Sequence, residues 1–133
     1  MTARILVIDD EDAIRDRIVR MLSFEGFDAV GAADGKTGVE MAWREPPDLV
    51  ICDLMMPGIN GFGACRGLCD DERTRHVPVI VVSALSAPSD RERAMELGAR
   101  AYVTKPFRTQ QLLSIIRDCL GMRLDDARTA PGA

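Results

Sequence analysis

The 133-residue chain has a single histidine, His76, and its four cysteines form no Cys-x-x-Cys pair. With no histidine close to any of them in sequence, a zinc site built from paired thiols and imidazoles has no support. Cys52, Cys65, Cys69 and Cys119 read instead as small buried hydrophobes in a reducing compartment, although Cys65 and Cys69 fall on one helix face. His76 stands between Arg75 and Val77, just before a proline, and reads as a loop residue without chemistry. A basic block is also missing. The 17 Lys+Arg are dispersed and outnumbered by 21 Asp+Glu, for a net charge of -4, which argues against direct binding of nucleic acid. No apolar run reaches membrane-spanning length, and Arg4, Asp9 and Asp10 interrupt the run nearest the N-terminus, so neither a membrane segment nor a signal peptide is expected. A cytoplasmic protein is the expectation. What is present is a hydrophobic fraction of 47% in a length that suits one domain, enough for a core of its own.

Periodicity divides the chain into alternating elements. Arg4 to Ile8 is an apolar β-branched run, followed by Asp9-Asp10-Glu11-Asp12 and a helix with Ile14, Ile18, Met21 and Leu22 on one face, stopped at Gly26. Phe27 to Ala32 reads as a weaker strand, Thr37 to Arg44 as a short helix, and Pro46-Pro47 as a break before the strand Leu49 to Cys52. Pro57-Gly58 suits a type II turn, and Asn60 suits the cap of a helix running to about Asp71. Val77 to Ser83 is the fourth strand, Ser89 to Leu97 a helix ended by Gly98, Ala101 to Thr104 the fifth strand, and Thr109 to Leu120 a helix ended by Gly121. The remainder, 123–133, lacks periodicity and reads as a disordered tail or the start of a linker after a domain spanning 1–122. Five near-continuous apolar strands alternating with five helices predict an α/β fold, a parallel sheet with helices on both faces. Right-handed crossovers leave few topologies.

In such sheets ligands sit beyond the carboxyl ends of the strands, where the strand order reverses. Strand one ends in Asp9-Asp10, strand three in Asp53, strand four in Ser83 and strand five in Lys105. In the order 2-1-3-4-5, strands one and three are neighbours and their three carboxylates converge. Three carboxylates in one pocket repel one another, so their pKa values rise or a cation is held. Mg2+ suits the place, because it takes oxygen ligands, needs few from the protein and keeps waters that a phosphate oxygen can replace. A buried strand that ends in Asp53 then has a reason: the residue is ligand and nucleophile together, with a metal and Lys105 offsetting its charge.

This constellation resembles the receiver domain of two-component response regulators. The resemblance runs from Arg4 to about Gly121 and rests on Asp9-Asp10, Asp53 followed by Leu54-Met55-Met56-Pro57-Gly58, Ser83-Ala84, Tyr102, and Lys105-Pro106-Phe107. It implies the doubly wound, flavodoxin-like order 2-1-3-4-5. It further implies that Asp53 accepts a phosphoryl group from a phosphohistidine on a sensor histidine kinase or histidine phosphotransferase. Asp10 and Asp53 would bind Mg2+ with the main-chain carbonyl of Met55, and Asp9 would reach the ion mainly through water. Lys105, one of only two lysines beside Lys36, would pair with the carboxylate and then with a phosphoryl oxygen. Ser83 would turn its hydroxyl onto the phosphoryl group, with the small Ala84 leaving room. Tyr102 would swing inward behind it and remodel the surface around helix four, strand five and helix five. The Lys105-Pro106 bond is typically cis in this family.

Ordinary structural readings exist for each residue: Asp9 to Asp12 as a helix cap, Asp53 as a turn entry, Ser83 as a cap, Tyr102 as a half-buried aromatic and Lys105 as a solvated charge. They do not explain why all of them share one edge. A small phosphatase with an aspartate nucleophile would want an acid or base two residues later, and that position is the apolar Met55. A mononucleotide binder would want a Gly/Ser/Thr-rich loop after strand one, where Asp9 to Asp12 repels phosphate. A pseudo-receiver would lack part of the acidic site, and none is missing. The expected protein is therefore a switch and not an enzyme in the turnover sense, catalysing only its own phosphorylation and dephosphorylation. It would act as a stand-alone receiver docking on an effector protein or as the receiver of a longer regulator with a C-terminal output domain, and as a monomer or a phosphorylation-dependent dimer.

Overall fold

The computed structural model describes residues 2–56 and 61–128, with side chains as far as 121. Among the described residues ten elements alternate: β1 Arg4–Ile8, α1 Asp12–Phe24, β2 Asp28–Ala32, α2 Gly35–Arg44, β3 Leu49–Cys52, α3 Gly61–Asp70, β4 Val79–Ser83, α4 Pro88–Glu96, β5 Ala101–Thr104 and α5 Thr109–Arg128. The strands form one parallel sheet in the order β2-β1-β3-β4-β5, as expected.

Side chains alternate across each strand and feed two separate cores. Leu6, Ile8, Val50, Cys52, Val79 and Val81 point to the face covered by α2, α3 and α4. Ile5, Val7, Leu49, Ile51, Ile80 and Val82 point to the face covered by α1 and α5. Every residue of β3 and β4 is buried, which is why these segments read as continuous apolar runs instead of alternating ones. The outer strand β2 keeps a polar or exposed residue at alternate positions, which weakened its signal in the sequence.

Several boundaries move for identifiable reasons. Helix α2 starts at Gly35, before the expected Thr37, because the Asp34 side chain accepts a hydrogen bond from the Thr37 N–H at 2.8 Å and caps the helix. Gly26 and Gly98 do stop their helices, with φ of 94° and 114° that a side chain would disfavour. Gly121 does not. It has no positive φ, and α5 continues to Arg128 through Met122, Arg123 and Leu124, all good helix formers, so the irregular tail expected from 123 is helical for its first part. The expected Pro57-Gly58 turn and Asn60 cap lie outside the described residues, as does 129–133.

All four cysteines are free. Cys52, Cys65 and Cys119 are buried in the two cores, and burial pushes the Cys52 and Cys119 thiols up. The Cys65 and Cys69 sulfurs lie 4.0 Å apart on α3, a contact that pushes the Cys65 thiol up and draws the half-buried Cys69 thiol down. Among the described residues, no helix is long and apolar enough to cross a membrane.

Candidate active site at the carboxyl edge of the sheet

The sheet order puts β1 beside β3, so the residues that follow them meet. Asp9 and Asp53, 2% and 3% exposed, emerge from the ends of these strands, and the half-buried Asp10 lies next to them. Ligand oxygens of Asp9, Asp10 and Asp53 all fall within 4.8 Å of one another. The backbone N–H of Asp53 donates to the Ile8 carbonyl at 3.0 Å, so the β1·β3 ladder itself fixes where the second carboxylate stands relative to the first.

Lys105 enters from the end of β5 and closes the cluster. Its Nζ donates to Asp9 Oδ2 at 3.1 Å and to Asp53 Oδ2 at 3.0 Å, and its backbone N–H is held by the Ser83 carbonyl at 2.8 Å. The Lys105-Pro106 peptide is cis. The other carboxylate oxygens are occupied by backbone: the Glu11 N–H donates to Asp9 Oδ1 at 2.9 Å and the Met55 N–H to Asp53 Oδ1 at 3.0 Å. Burial raises the Asp9 pKa above its ordinary value, although the Glu11 N–H and Lys105 pull it back. Burial works against the Lys105 charge, yet hydrogen bonds to Asp53 and Asp9 outweigh it and hold its pKa above the usual lysine value.

Three carboxylates against one ammonium leave the cluster short of positive charge. Its donors are all hard oxygens, and the Asp10 carboxylate makes no hydrogen bond or ion pair among the described residues, so the donor set fits a hard divalent cation such as Mg2+.

The remaining expected residues sit along β4 and β5. Ser83, fully buried at the end of β4, accepts a hydrogen bond on Oγ from the Leu85 N–H at 3.2 Å. Tyr102 is buried with its hydroxyl donating to the Leu85 carbonyl at 2.6 Å, and burial raises its pKa. Its ring is thus already inward here, where the sequence reading has it turning inward on phosphorylation. Met55 leaves its side chain about half exposed at the mouth of the site.

Two neighbours were not foreseen. Gly61, the first residue of α3, packs against the backbone of Asp53 and Leu54 so closely that a Cβ would overlap both. Arg15, one turn into α1, donates from Nη1 to the Asp9 carbonyl at 2.8 Å. A glycine opening a helix and an arginine on a helical face are common in sequence, and only the spatial approach distinguishes these two.

Residues 5–117 match the response regulator receiver domain family. Protein PilH of Pseudomonas aeruginosa is 39% identical over 118 residues, covering 89% of this chain and 98% of PilH. Response regulator PleD of Caulobacter vibrioides is 40% identical over 124 residues, and there the chain spans 93% of its own length but only 27% of PleD. Among solved structures, the receiver domain of a sensor histidine kinase from Pseudomonas aeruginosa PAO1, which has a magnesium ion coordinated in its active-site cleft, superposes with a TM-score of 0.84. It is 30% identical, over 91% of this chain and 99% of that one. With its fold, its acidic edge and a family match over residues 5–117, this chain belongs to the response regulator receiver domain family.

Proposed function

We propose that this receiver domain is a phosphoacceptor switch whose Asp53 takes a phosphoryl group from a phosphohistidine on a sensor histidine kinase or histidine phosphotransferase. The observation that carries the reading is the Lys105 ammonium bridging Asp9 and Asp53 where three carboxylates converge. In the transfer an Asp53 carboxylate oxygen bonds to phosphorus while the phosphorus–nitrogen bond breaks, and the histidine nitrogen leaves with that electron pair. Lys105 keeps its proton, because its carboxylate neighbours hold its pKa up, and its N–H groups follow the negative charge from Asp53 onto a phosphoryl oxygen. The Ser83 hydroxyl accepts from the Leu85 N–H and so retains its hydrogen for another phosphoryl oxygen. Asp10, Asp53 and the Met55 carbonyl would hold a Mg2+ ion, with Asp9 acting through water, and the ion would supply positive charge to offset the phosphoryl oxygens.

The output is a change of surface. Ser83 and Tyr102 share the Leu85 backbone as a hydrogen-bond partner, so a Ser83 hydroxyl drawn toward a phosphoryl group disturbs the anchor of Tyr102 and the surface around α4, β5 and α5. That surface would bind a downstream effector or a C-terminal output domain, or a second receiver when phosphorylated. The protein acts in the cytoplasm and turns over no external substrate beyond its own phosphorylation and dephosphorylation.

The test is incubation with Mg2+ and acetyl phosphate followed by intact-mass analysis. One phosphoryl group is expected on the wild type, none without Mg2+ and none on Asp53→Asn. Uptake by Asp53→Asn at the wild-type rate would assign the chemistry to another residue. The phosphorylated state should also be long-lived, because the apolar side chains of Met55 and Leu85 flank the site and offer an attacking water no hydrogen bond. In Met55→Asn a water-orienting hydrogen bond of about 1 kcal/mol should speed dephosphorylation about fivefold. Slower loss of the phosphoryl group in that variant, followed by mass over time, counts against this account of lifetime.

A further inference from the structure

The three carboxylates of the acidic edge are not held alike. Asp9 is fixed by the Glu11 N–H and Lys105, and Asp53 by the Met55 N–H and Lys105. The Asp10 carboxylate has no such support among the described residues, so its direction depends on its own backbone. The peptide unit that sets this direction joins the Asp9 carbonyl to the Asp10 nitrogen, and one side chain grips that carbonyl. Arg15 donates to it from Nη1 at 2.8 Å while its Nη2 donates to Asp12 at 2.6 Å.

We infer that Arg15 is a positioning residue that aims Asp10 by clamping the Asp9–Asp10 peptide. The inference rests on the phosphoacceptor reading above and adds to it the element that holds its least supported ligand.

The surroundings are built for this contact. The Arg15 side chain is only 16% exposed, which is uncommon for an arginine on the outside of a helix. Its aliphatic stem crosses β2 over Gly31, where a Cβ would lie 2.8 Å from Arg15 Cδ and 3.0 Å from Cγ. Gly31 pairs with Val7 in the β1·β2 ladder and has no positive φ, so the missing side chain there serves the passage of Arg15 and not a turn. A guanidinium near the N-terminus of α1 also works against the helix dipole, a placement that a purely structural surface arginine would avoid. Its two acceptors span the acidic loop from Asp9 to Asp12, so the planar fork of the guanidinium fixes the loop at both ends, which a lysine cannot do.

The test is a Mg2+ titration of the full chain followed by NMR, with wild type, Arg15→Met, Arg15→Lys, Gly31→Ala and the double variant Arg15→Met/Gly31→Ala. Arg15→Met should weaken Mg2+ binding about tenfold, as loss of an outer-shell support does. Arg15→Lys should recover part of this, because an ammonium reaches one of the two acceptors. Gly31→Ala should weaken binding about threefold by displacing the arginine stem, and should add nothing once Arg15 is gone. At saturating Mg2+ the rate of phosphorylation by acetyl phosphate should return to within about twofold of wild type, a split that general loosening of the fold would not give. In the ion-free protein, amide exchange at Glu11, whose N–H donates to Asp9, should quicken in Arg15→Met. Mg2+ affinity within twofold of wild type in Arg15→Met, or an equal effect of Gly31→Ala in both backgrounds, overturns the inference. Should the wild type itself take neither Mg2+ nor a phosphoryl group, the phosphoacceptor reading fails instead. Glu11 exchange then decides the clamp, with unchanged protection in Arg15→Met refuting it and lost protection upholding it. If Arg15→Met does not fold, Arg15→Lys and Gly31→Ala carry the same comparison.

Discussion

Replacing Lys105 by methionine should destabilise the ion-free protein by about 3 kcal/mol at pH 8, since it leaves a buried carboxylate pair without its cation. Asp9 and Asp53 are almost fully buried and point oxygens at the same ammonium, 3.1 Å and 3.0 Å away. Methionine fills much of the same space, so the loss isolates charge from packing. The pH dependence carries a definite sign. The Asp9 pKa is already above its ordinary 3.8 because of burial, and without Lys105 it rises further. A carboxyl whose pKa is raised on folding favours the folded state below the unfolded value and loses that contribution as pH rises through the folded value. The variant should therefore approach wild type near pH 4 and fall behind as pH climbs. In the wild type the opposite partner sets an alkaline limit. Lys105 has a folded pKa above its ordinary 10.5, so the bridge is intact below that pH and fails as pH rises through the folded value. Urea unfolding in a chelator, read by the fluorescence of Trp43, the single tryptophan, measures both limbs. Added Mg2+ should restore part of the loss in the variant by binding only the folded site. Phosphorylation by acetyl phosphate should slow about 100-fold, the usual cost of losing a charge-stabilising donor. Equal urea midpoints for variant and wild type at pH 8 would show that the bridge contributes nothing to folding.

Gly61→Ala should be as severe for a different reason. The added methyl would overlap the Asp53 carbonyl oxygen and the Leu54 Cα, both backbone atoms that cannot rotate away. The start of α3 and the segment after β3 must then separate, breaking the 3.2 Å hydrogen bond from the Gly61 N–H to the Leu54 carbonyl. About 3 kcal/mol of stability is at stake. Displacement of Asp53 relative to Lys105 by about 1 Å should slow phosphoryl uptake about 100-fold. Gly67→Ala on the same helix is the matched control. There the new methyl meets only Val39 and Trp43 side chains at 3.4 Å or more, and alanine should stabilise the helix by about 0.5 to 1 kcal/mol. If both variants unfold at the same urea concentration, the close approach at Gly61 does not constrain the site.

Much of this architecture is legible in the sequence because its strongest signals are physical necessities. The apolar runs of β3 and β4 must be covered on both sides, and polar residues at strand ends can only gather at one edge once the strands run parallel. Asp9, Asp53 and Ser83 stand out because each directly follows an apolar run, and the fold brings Asp9 and Asp53 together with Asp10 and Lys105 at one edge. The residues that escaped act through shape or through the backbone. Gly61 matters for an atom it lacks, and Arg15 matters through a carbonyl that any residue could offer. The start of α2 was missed because the Asp34 cap lies outside the apolar pattern. The end of α5 was missed because a glycine stops a helix only when it turns left-handed, which Gly121 does not.

The bond between Lys105 and Asp9 joins residues 96 positions apart. Translation reaches Asp9 first, and Asp53 is already in the chain well before Lys105 is decoded. The Asp9 and Asp53 carboxylates of a nascent chain thus lack their shared cation until the segment that follows β5 reaches them. The bridge between Asp9 and Asp53 is therefore completed only when the last strand lies in place beside the fourth.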